Sequence, residues 1–197
     1  MNNQRNNILN ASISHAATVT ETSESKEFWL KQGLGRDHSS NLSAADLLIV
    51  PLKDFRDGVP FLFHQDTPAL LRYLAAELGD LKVEICATDE EYVEISLHSS
   101  SFRLSAIVVT YVVAPLAINL LSSYVYDELK AKPNDSVELT LIVEDHQCKS
   151  FKFSFNGEAK DLHIVADQVG QMARDCEASG GKKPLALKPP KNRSKLL

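Results

Sequence analysis

Hydrophobic and polar positions along the chain predict three successive units, each made of two strands and a helix. The units cover residues 46–78, 81–131 and 136–175. Apolar residues at every second position indicate a strand, and apolar residues three or four positions apart indicate a helix. Hairpins joined by helices predict a mainly antiparallel sheet with helices packed on one face, which is an α+β fold. The units share no residue pattern, so no sequence repeat is inferred.

Six strands are predicted from alternating or wholly apolar runs that end at turn residues. The strongest pattern is at residues 137–143, where four apolar residues at every second position alternate with Glu138, Thr140 and Ile142. A turn at residues 145–148 leads to a return strand in which three phenylalanines alternate with polar residues. The full set lies at residues 46–52, 59–64, 81–87, 92–98, 137–143 and 151–155.

Two helices have clear signals. Thr67 is a favoured N-cap residue, and Pro68 fits the first helical position. Gly79 suits a C-terminal cap, so a helix over residues 67–78 is expected. A second helix, over residues 158–174, has the amphipathic stripe Leu162, Val165, Val169 and Met172.

Residues 104–121 form an uncharged stretch of eighteen residues, LSAIVVTYVVAPLAINLL. The favoured interpretation is one helix buried under the sheet, because such a helix is apolar nearly all round. A second interpretation is a strand over residues 107–113 that ends at Pro115 and is followed by a helix. The stretch is also nearly long enough to cross a membrane. A helix that binds a partner is the fourth alternative.

Composition divides the chain into a folded body and two tails. Apolar residues make up 44% and charged residues 24%, as in an ordinary globular protein. Residues 1–43 are predicted to be a mostly disordered leader, since they are rich in small polar residues. Residues 44–175 form the single domain, and residues 176–197 form a basic, disordered tail.

Charge argues against a dedicated nucleic-acid binder. The tail carries six basic residues and one acidic residue, which is a net charge of +5. Because the whole chain has a net charge of −5, residues 1–175 carry a net charge of −10. A nucleic-acid-binding domain would itself be basic. Weak contact with nucleic acid is therefore expected only through the tail. Its candidate partner-binding residues are Lys182, Lys183, Lys188, Lys191 and Arg193.

Phe28, Trp29 and Leu30 form a short apolar cluster inside the polar leader. One interpretation is an anchor that docks the leader on the domain. The other is a linear motif that binds another protein, because a tryptophan supplies a large contact area. These three residues are therefore the second set of candidate partner-binding residues.

Catalytic and metal-binding motifs are missing from the sequence. No Walker loop, dinucleotide fingerprint or nucleophile elbow is found. His146 and Cys148 flank one turn, but the second ligand pair that zinc prefers is missing, so no metal or cofactor is expected. A dispersed active site remains an alternative, and it would gather His64, His98, Asp145 and His146.

The expected location is the cytoplasm, with membrane association as the alternative. No apolar run of the kind found in secretory signals follows the N-terminus. Three cysteines without a C-x-x-C pair are expected to stay free thiols in a reducing compartment.

The function that fits these features is a non-enzymatic protein-interaction module or accessory subunit of a larger bacterial assembly, with another protein as its partner. The first alternative is a membrane-associated effector that inserts residues 104–121, for example in a defence or stress system. The second is a small-molecule-binding or hydrolytic domain with a dispersed site. The lack of catalytic motifs favours a non-enzymatic role.

Overall fold

Ten strands and five helices lie in the part of the chain that a computed structural model describes, namely residues 16–96, 101–144, 150–179 and Leu185. The strands are β1 (Ala17–Glu21), β2 (Leu47–Val50), β3 (Leu52–Arg56), β4 (Val59–His64), β5 (Val83–Ile85), β6 (Glu94–Ile95), β7 (Ser101–Arg103), β8 (Ala106–Thr110), β9 (Ser136–Glu144) and β10 (Phe151–Glu158). The helices are α1 (Lys26–Leu30), α2 (Ser39–Ser43), α3 (Thr67–Leu78), α4 (Ala114–Asp127) and α5 (Leu162–Ala178).

Seven of the described strands form one mixed sheet. Its order is β1-β10-β9-β8-β2-β5, and β7 also pairs with β9. The two longest pairings, β1 with β10 and β10 with β9, are antiparallel. In contrast, β8 runs parallel to β9, and β5 runs parallel to β2. Strands β3, β4 and β6 form a second, three-stranded sheet. The predicted α+β class is confirmed for the described residues.

The main core lies between one face of the larger sheet and the three long helices, α3, α4 and α5. Alternate residues of β9 and β10 supply the sheet side of this core: Leu139, Leu141, Val143, Phe153 and Phe155. The predicted amphipathic stripe of α5 supplies the facing side, with Leu162, Val165 and Val169 buried. The period of two along the strands therefore decides which face of the sheet is inner and which is outer.

Helix α3 has the predicted bounds, but its start differs in one detail. Asp66 is the N-cap, and Pro68 lies in the first turn. The Thr67 hydroxyl lies 2.6 Å from Oγ of Ser105, which ties the buried start of α3 to the segment before β8. At the other end, Gly79 has φ of 66°, in the left-handed region that favours glycine.

Residues 16–43 of the predicted leader belong to the fold. Strand β1 pairs along its length with β10, from Ala17 opposite Phe155 to Glu21 opposite Phe151. Helix α1 follows, and its N-cap Ser25 accepts a hydrogen bond from the N–H of Phe28. The leader was expected to be mostly disordered apart from its apolar cluster, but residues 16–43 contain β1, α1 and α2. The reason is that a five-residue edge strand buries too few side chains to stand out in a polar sequence.

The short helices α1 and α2 cover part of the outer face of the sheet. Trp29, Leu34 and Leu42 form a second apolar cluster there. The sheet side of this cluster comes from the other alternate residues, namely Leu48, Val50, Val108 and Ile142. Lys26 ties α1 to the end of β9, because its backbone N–H donates to Oε2 of Glu144 at 2.7 Å. The sheet is thus covered on both faces, although the long helices all lie on one.

The uncharged stretch at residues 104–121 is a strand followed by a helix. Strand β8 pairs with β2 on one side and with β9 on the other, and α4 begins with Pro115 in its first turn. The favoured prediction of one continuous helix is therefore wrong, and the strand-then-helix alternative is correct. β-Branched Ile107, Val108 and Val109 suit a central strand. None of the helices in the described ranges is both long and apolar enough to cross a membrane.

The cysteines differ from the expected set of free thiols. Cys86 is a free, buried thiol, but Cys176, near the end of α5, is disulfide-bonded. The cytoplasmic location stays a prediction.

Trp29→Ala should lower the free energy of unfolding by about 3–5 kcal/mol, as expected for a large aromatic side chain lost from a core. The reason is that Trp29 is 4% exposed and fills the second cluster. Phe28→Ala is the matched control, since Phe28 is only partly buried, and it should cost less. Denaturant unfolding followed by circular dichroism measures both values. Equal midpoints for Trp29→Ala and wild type would show that α1 does not stabilise the domain.

Cys86 should not react with a disulfide reagent at mild alkaline pH until the protein unfolds. Burial, with a smaller contribution from Glu91, raises the pKa of this thiol to about 12, and the thiolate is the reactive form. Absorbance of the released thiol measures the reaction with and without denaturant. The thiol that appears on unfolding should be missing from Cys86→Ser, and fast reaction of the native protein would refute the buried position.

Candidate functional site

The predicted partner-binding residues of the leader lie in the second apolar cluster. Trp29 is buried there, and its ring meets that of Phe28 edge to face at a centroid distance of 5.5 Å. Phe28 and Leu30 are partly buried against the same cluster. The contact area of Trp29 is therefore used inside the chain, as the anchor interpretation expects. A partner would meet mainly the exposed part of Phe28, beside the ammonium of Lys53.

The other predicted residues are described only in part. Lys182, Lys183, Lys188, Lys191 and Arg193 lie outside the described residues, as do His98, Asp145 and His146 of the dispersed site. His64 is described and lies at the end of β4. Within the described ranges, no group of three or more His, Cys, Asp or Glu side chains is placed to hold a metal ion.

A cleft of about 280 Å³ is the candidate site, and His64 is one of its lining residues. The cleft lies where the polar part of the outer sheet face meets the hairpin of β3 and β4. Four uncharged polar residues line it from three strands, namely Thr18, Thr140, Ser154 and Asn156. The hairpin contributes Leu52 and Phe55.

Strand register brings the polar residues together. Thr18 lies opposite Ser154, and Ser154 lies opposite Thr140, so three hydroxyls form a row across β1, β10 and β9. One step along the strands, Asn156 lies opposite Glu138, and Glu138 lies opposite Arg103 of β7. Residues that face each other on neighbouring strands point to the same side of a sheet. The cleft therefore has two parallel rows of polar side chains.

Arg103 and Glu138 form the charged end of the second row. Nε of Arg103 lies 2.9 Å from Oε2 of Glu138, and both side chains are 30% exposed. The distance is that of an ion pair, but the N–H is not aligned with the carboxylate, so the buried Nε has no hydrogen-bond partner. A pair this exposed contributes little stability. Its main effect is to cancel the two charges at the cleft.

His64 adds a neutral imidazole to the lining. Its side chain is 6% exposed. Burial lowers the pKa of His64, and the nearby charge of Arg103 lowers it further, against smaller opposing effects of Asp66 and Glu138. The imidazole is therefore uncharged at neutral pH and offers one hydrogen-bond donor and one acceptor.

An irregularity in the backbone positions Phe55. The pairing of β3 with β4 shifts register between Lys53 and Arg56, and Asp54 between them has φ of 53°. Such a backbone is unfavourable for most residues with a side chain, although aspartate tolerates it better than most. Bulges of this kind redirect a side chain. Phe55 remains 46% exposed and forms the apolar wall of the cleft.

No family model, curated protein or solved structure matches this chain.

Of the cleft residues, only His64 stood among the candidates predicted from sequence. Alternation along β9 was visible, but it does not show which polar residues of distant segments share a face. Thr18 and Asn156 are 138 positions apart, and only the order of strands brings them together. The available signal was the row of small polar residues that alternates with the buried ones in β9 and β10.

Acidification should destabilise the protein through His64. The unfolded chain takes up a proton near the ordinary pKa of 6.5, whereas the folded chain does so only at lower pH. The contribution of His64 to the free energy of unfolding is therefore complete above that pH and is lost as the pH falls below it. The loss amounts to about 1.4 kcal/mol for each unit of difference between the two pKa values.

His64→Gln should reduce this loss, because glutamine keeps a donor and an acceptor but does not titrate. The free energy of unfolding, measured at about pH 7.5 and about pH 5.5, should fall less in the variant than in wild type. Equal falls in both proteins would show that His64 does not cause the effect.

Proposed function

We propose that this protein is a non-enzymatic interaction module, or accessory subunit, that holds an extended segment of a partner protein along the edge of β1. The observation that supports this most directly is the open side of β1, with which no other described strand pairs. A segment that adds to a sheet edge gains its affinity from backbone hydrogen bonds and its specificity from alternate side chains.

The phase of the hydrogen bonds shows which groups of β1 face outwards. The N–H of Asn156 donates to the carbonyl of Ala16 at 2.8 Å, and the N–H of Thr22 donates to the carbonyl of Ser150 at 3.0 Å. In an antiparallel pair, residues alternate between bonding to the partner strand and pointing away from it. Ala17 and Val19 therefore direct their backbone groups away from β10.

The side chains of β1 do little to block an incoming strand. Natural sheet edges are often protected by proline, lysine or inward-pointing charges. The sequence of β1 is Ala-Thr-Val-Thr-Glu, so its first four residues are uncharged and three of its five residues are β-branched. Residues of this kind favour strand pairing.

The cleft lies next to this edge, because Thr18 belongs both to β1 and to the cleft lining. A partner segment beside β1 would place alternate side chains next to Thr18, at the rim of the cleft. The basic tail residues from Lys182 to Arg193 would add electrostatic attraction to an acidic partner.

Val19→Pro tests the proposal, because it removes an N–H that points outwards and leaves the hydrogen bonds to β10 in place. The tagged chain is expressed near native level in its own host and captured for mass spectrometry. We expect a stoichiometric partner with wild type and with the control Val19→Thr, which keeps the N–H, and none with Val19→Pro. Circular dichroism checks that each variant is folded.

Thr20→Glu is a second variant in case proline unfolds β1. It places a charge at the edge opposite Lys152, which the fold should tolerate because the charges are opposite. Its partner capture should also fall. Recovery of wild type as a lone monomer would refute the proposal, as would a partner that stays bound to both variants.

A further inference from the structure

The four uncharged polar residues of the cleft are exposed or half-buried, so their hydrogen-bonding groups are accessible to a ligand. Among the described residues, the side chains of Thr18, Thr140, Ser154 and Asn156 make no hydrogen bond to another residue. Each hydroxyl both donates and accepts, and the amide also does both. A ligand that satisfies all four must itself carry several groups of mixed donor and acceptor character, as a row of hydroxyls does.

The charges at the cleft disfavour a charged ligand. Arg103 is neutralised by Glu138 at 2.9 Å. An anion would have to compete with that carboxylate, and a cation that approached the carboxylate would meet the guanidinium. An uncharged ligand can instead accept from Arg103 and donate to Glu138 at once, without separating the pair.

Phe55 and Leu52 give the cleft one apolar wall. The face of an aromatic ring is electron-rich and attracts the weakly positive C–H groups of an aliphatic ring. The left-handed backbone at Asp54 holds Phe55 in an exposed position. Strained backbone of this kind persists where the surrounding structure over-determines it, often at ligand sites.

The size of the cleft limits the ligand to about one ring. Its volume of about 280 Å³ is at the low end for small-molecule pockets. A single six-membered ring with its hydroxyl groups fits this volume, whereas a longer chain would extend out of the cleft.

We infer that the cleft binds one uncharged pyranose ring, with Thr18, Thr140, Ser154 and Asn156 bonding its hydroxyls and Phe55 packing against its C–H face. The ligand is thus a neutral sugar, either free or as the terminal unit of a glycan. This site is separate from the outward-facing backbone of β1, so it stands whether or not the interaction proposal holds.

Nuclear magnetic resonance titration of the full chain tests this inference. The probes are the methyl glycosides of glucose, galactose and mannose, together with N-acetylglucosamine. At least one of these sugars should bind with a dissociation constant in the millimolar range, because a ligand with so few atoms can gain only a small binding free energy. Its chemical-shift changes should centre on the amides of Thr18, Thr140, Ser154 and Asn156. No binding by any probe, or changes centred elsewhere, would overturn the inference.

Phe55→Ala should weaken that binding roughly 2- to 10-fold, the range of one aromatic contact. Thr140→Val keeps the side-chain shape, removes the hydroxyl and should also weaken binding. Tyr126→Ala is the matched control, because Tyr126 is an exposed aromatic residue on α4 that does not line the cleft. Equal affinity of Phe55→Ala and Tyr126→Ala would overturn the assignment of Phe55.

Glu138→Gln gives a second readout that a merely structural role would not produce. It leaves the charge of Arg103 uncompensated, so the variant should bind methyl glucuronide several-fold better than wild type does. Wild type should prefer the uncharged glucoside, and the reverse preference would overturn the inference. Val19→Pro should bind the sugar normally. A failure of the partner-binding proposal can therefore be distinguished from a failure of the sugar-binding inference.

Discussion

The alternation of side chains along β9 is the constraint on which the rest of the structure depends. This strand pairs with β10, β8 and β7, so it lies in the middle of the larger sheet. Its odd-numbered residues from Val137 to Val143 enter the main core. Its even-numbered residues therefore all belong to the outer face, because successive side chains of a strand point to opposite sides. A slip of one residue would exchange the two sets and expose the core.

The outer face of the sheet is divided by what covers it. Ile142 packs under Trp29 in the second cluster, and Glu144 accepts from the backbone of Lys26 at the start of α1. Further along the same strand, Thr140 and Glu138 line the cleft. The docked leader thus closes one end of this face and leaves the other end polar and partly open. One strand in this way positions the core, the anchor of the leader and the candidate site.

The two proposed binding features use different atoms of neighbouring elements. The edge of β1 offers backbone groups of Ala17 and Val19, whereas the cleft offers side chains of β1, β9 and β10. Thr18 connects them, since its side chain lines the cleft while its backbone pairs with β10.

The sequence by itself determined the elements whose periodicity is strong. The bounds of α3 and the alternation of β9 and β10 were predicted correctly, because local capping residues and side-chain spacing specify them.

Tertiary structure decided the rest. Residues 104–113 are apolar enough for either a buried helix or a buried strand, and pairing of β8 with two neighbours selected the strand. Strand β1 exists only because β10 offers it an edge, and the cleft exists only because the strand order places Thr18, Ser154 and Thr140 in one row. Contacts between residues so far apart in sequence leave no local pattern. The neighbours of a residue along the chain do not show which distant residue the fold will place beside it.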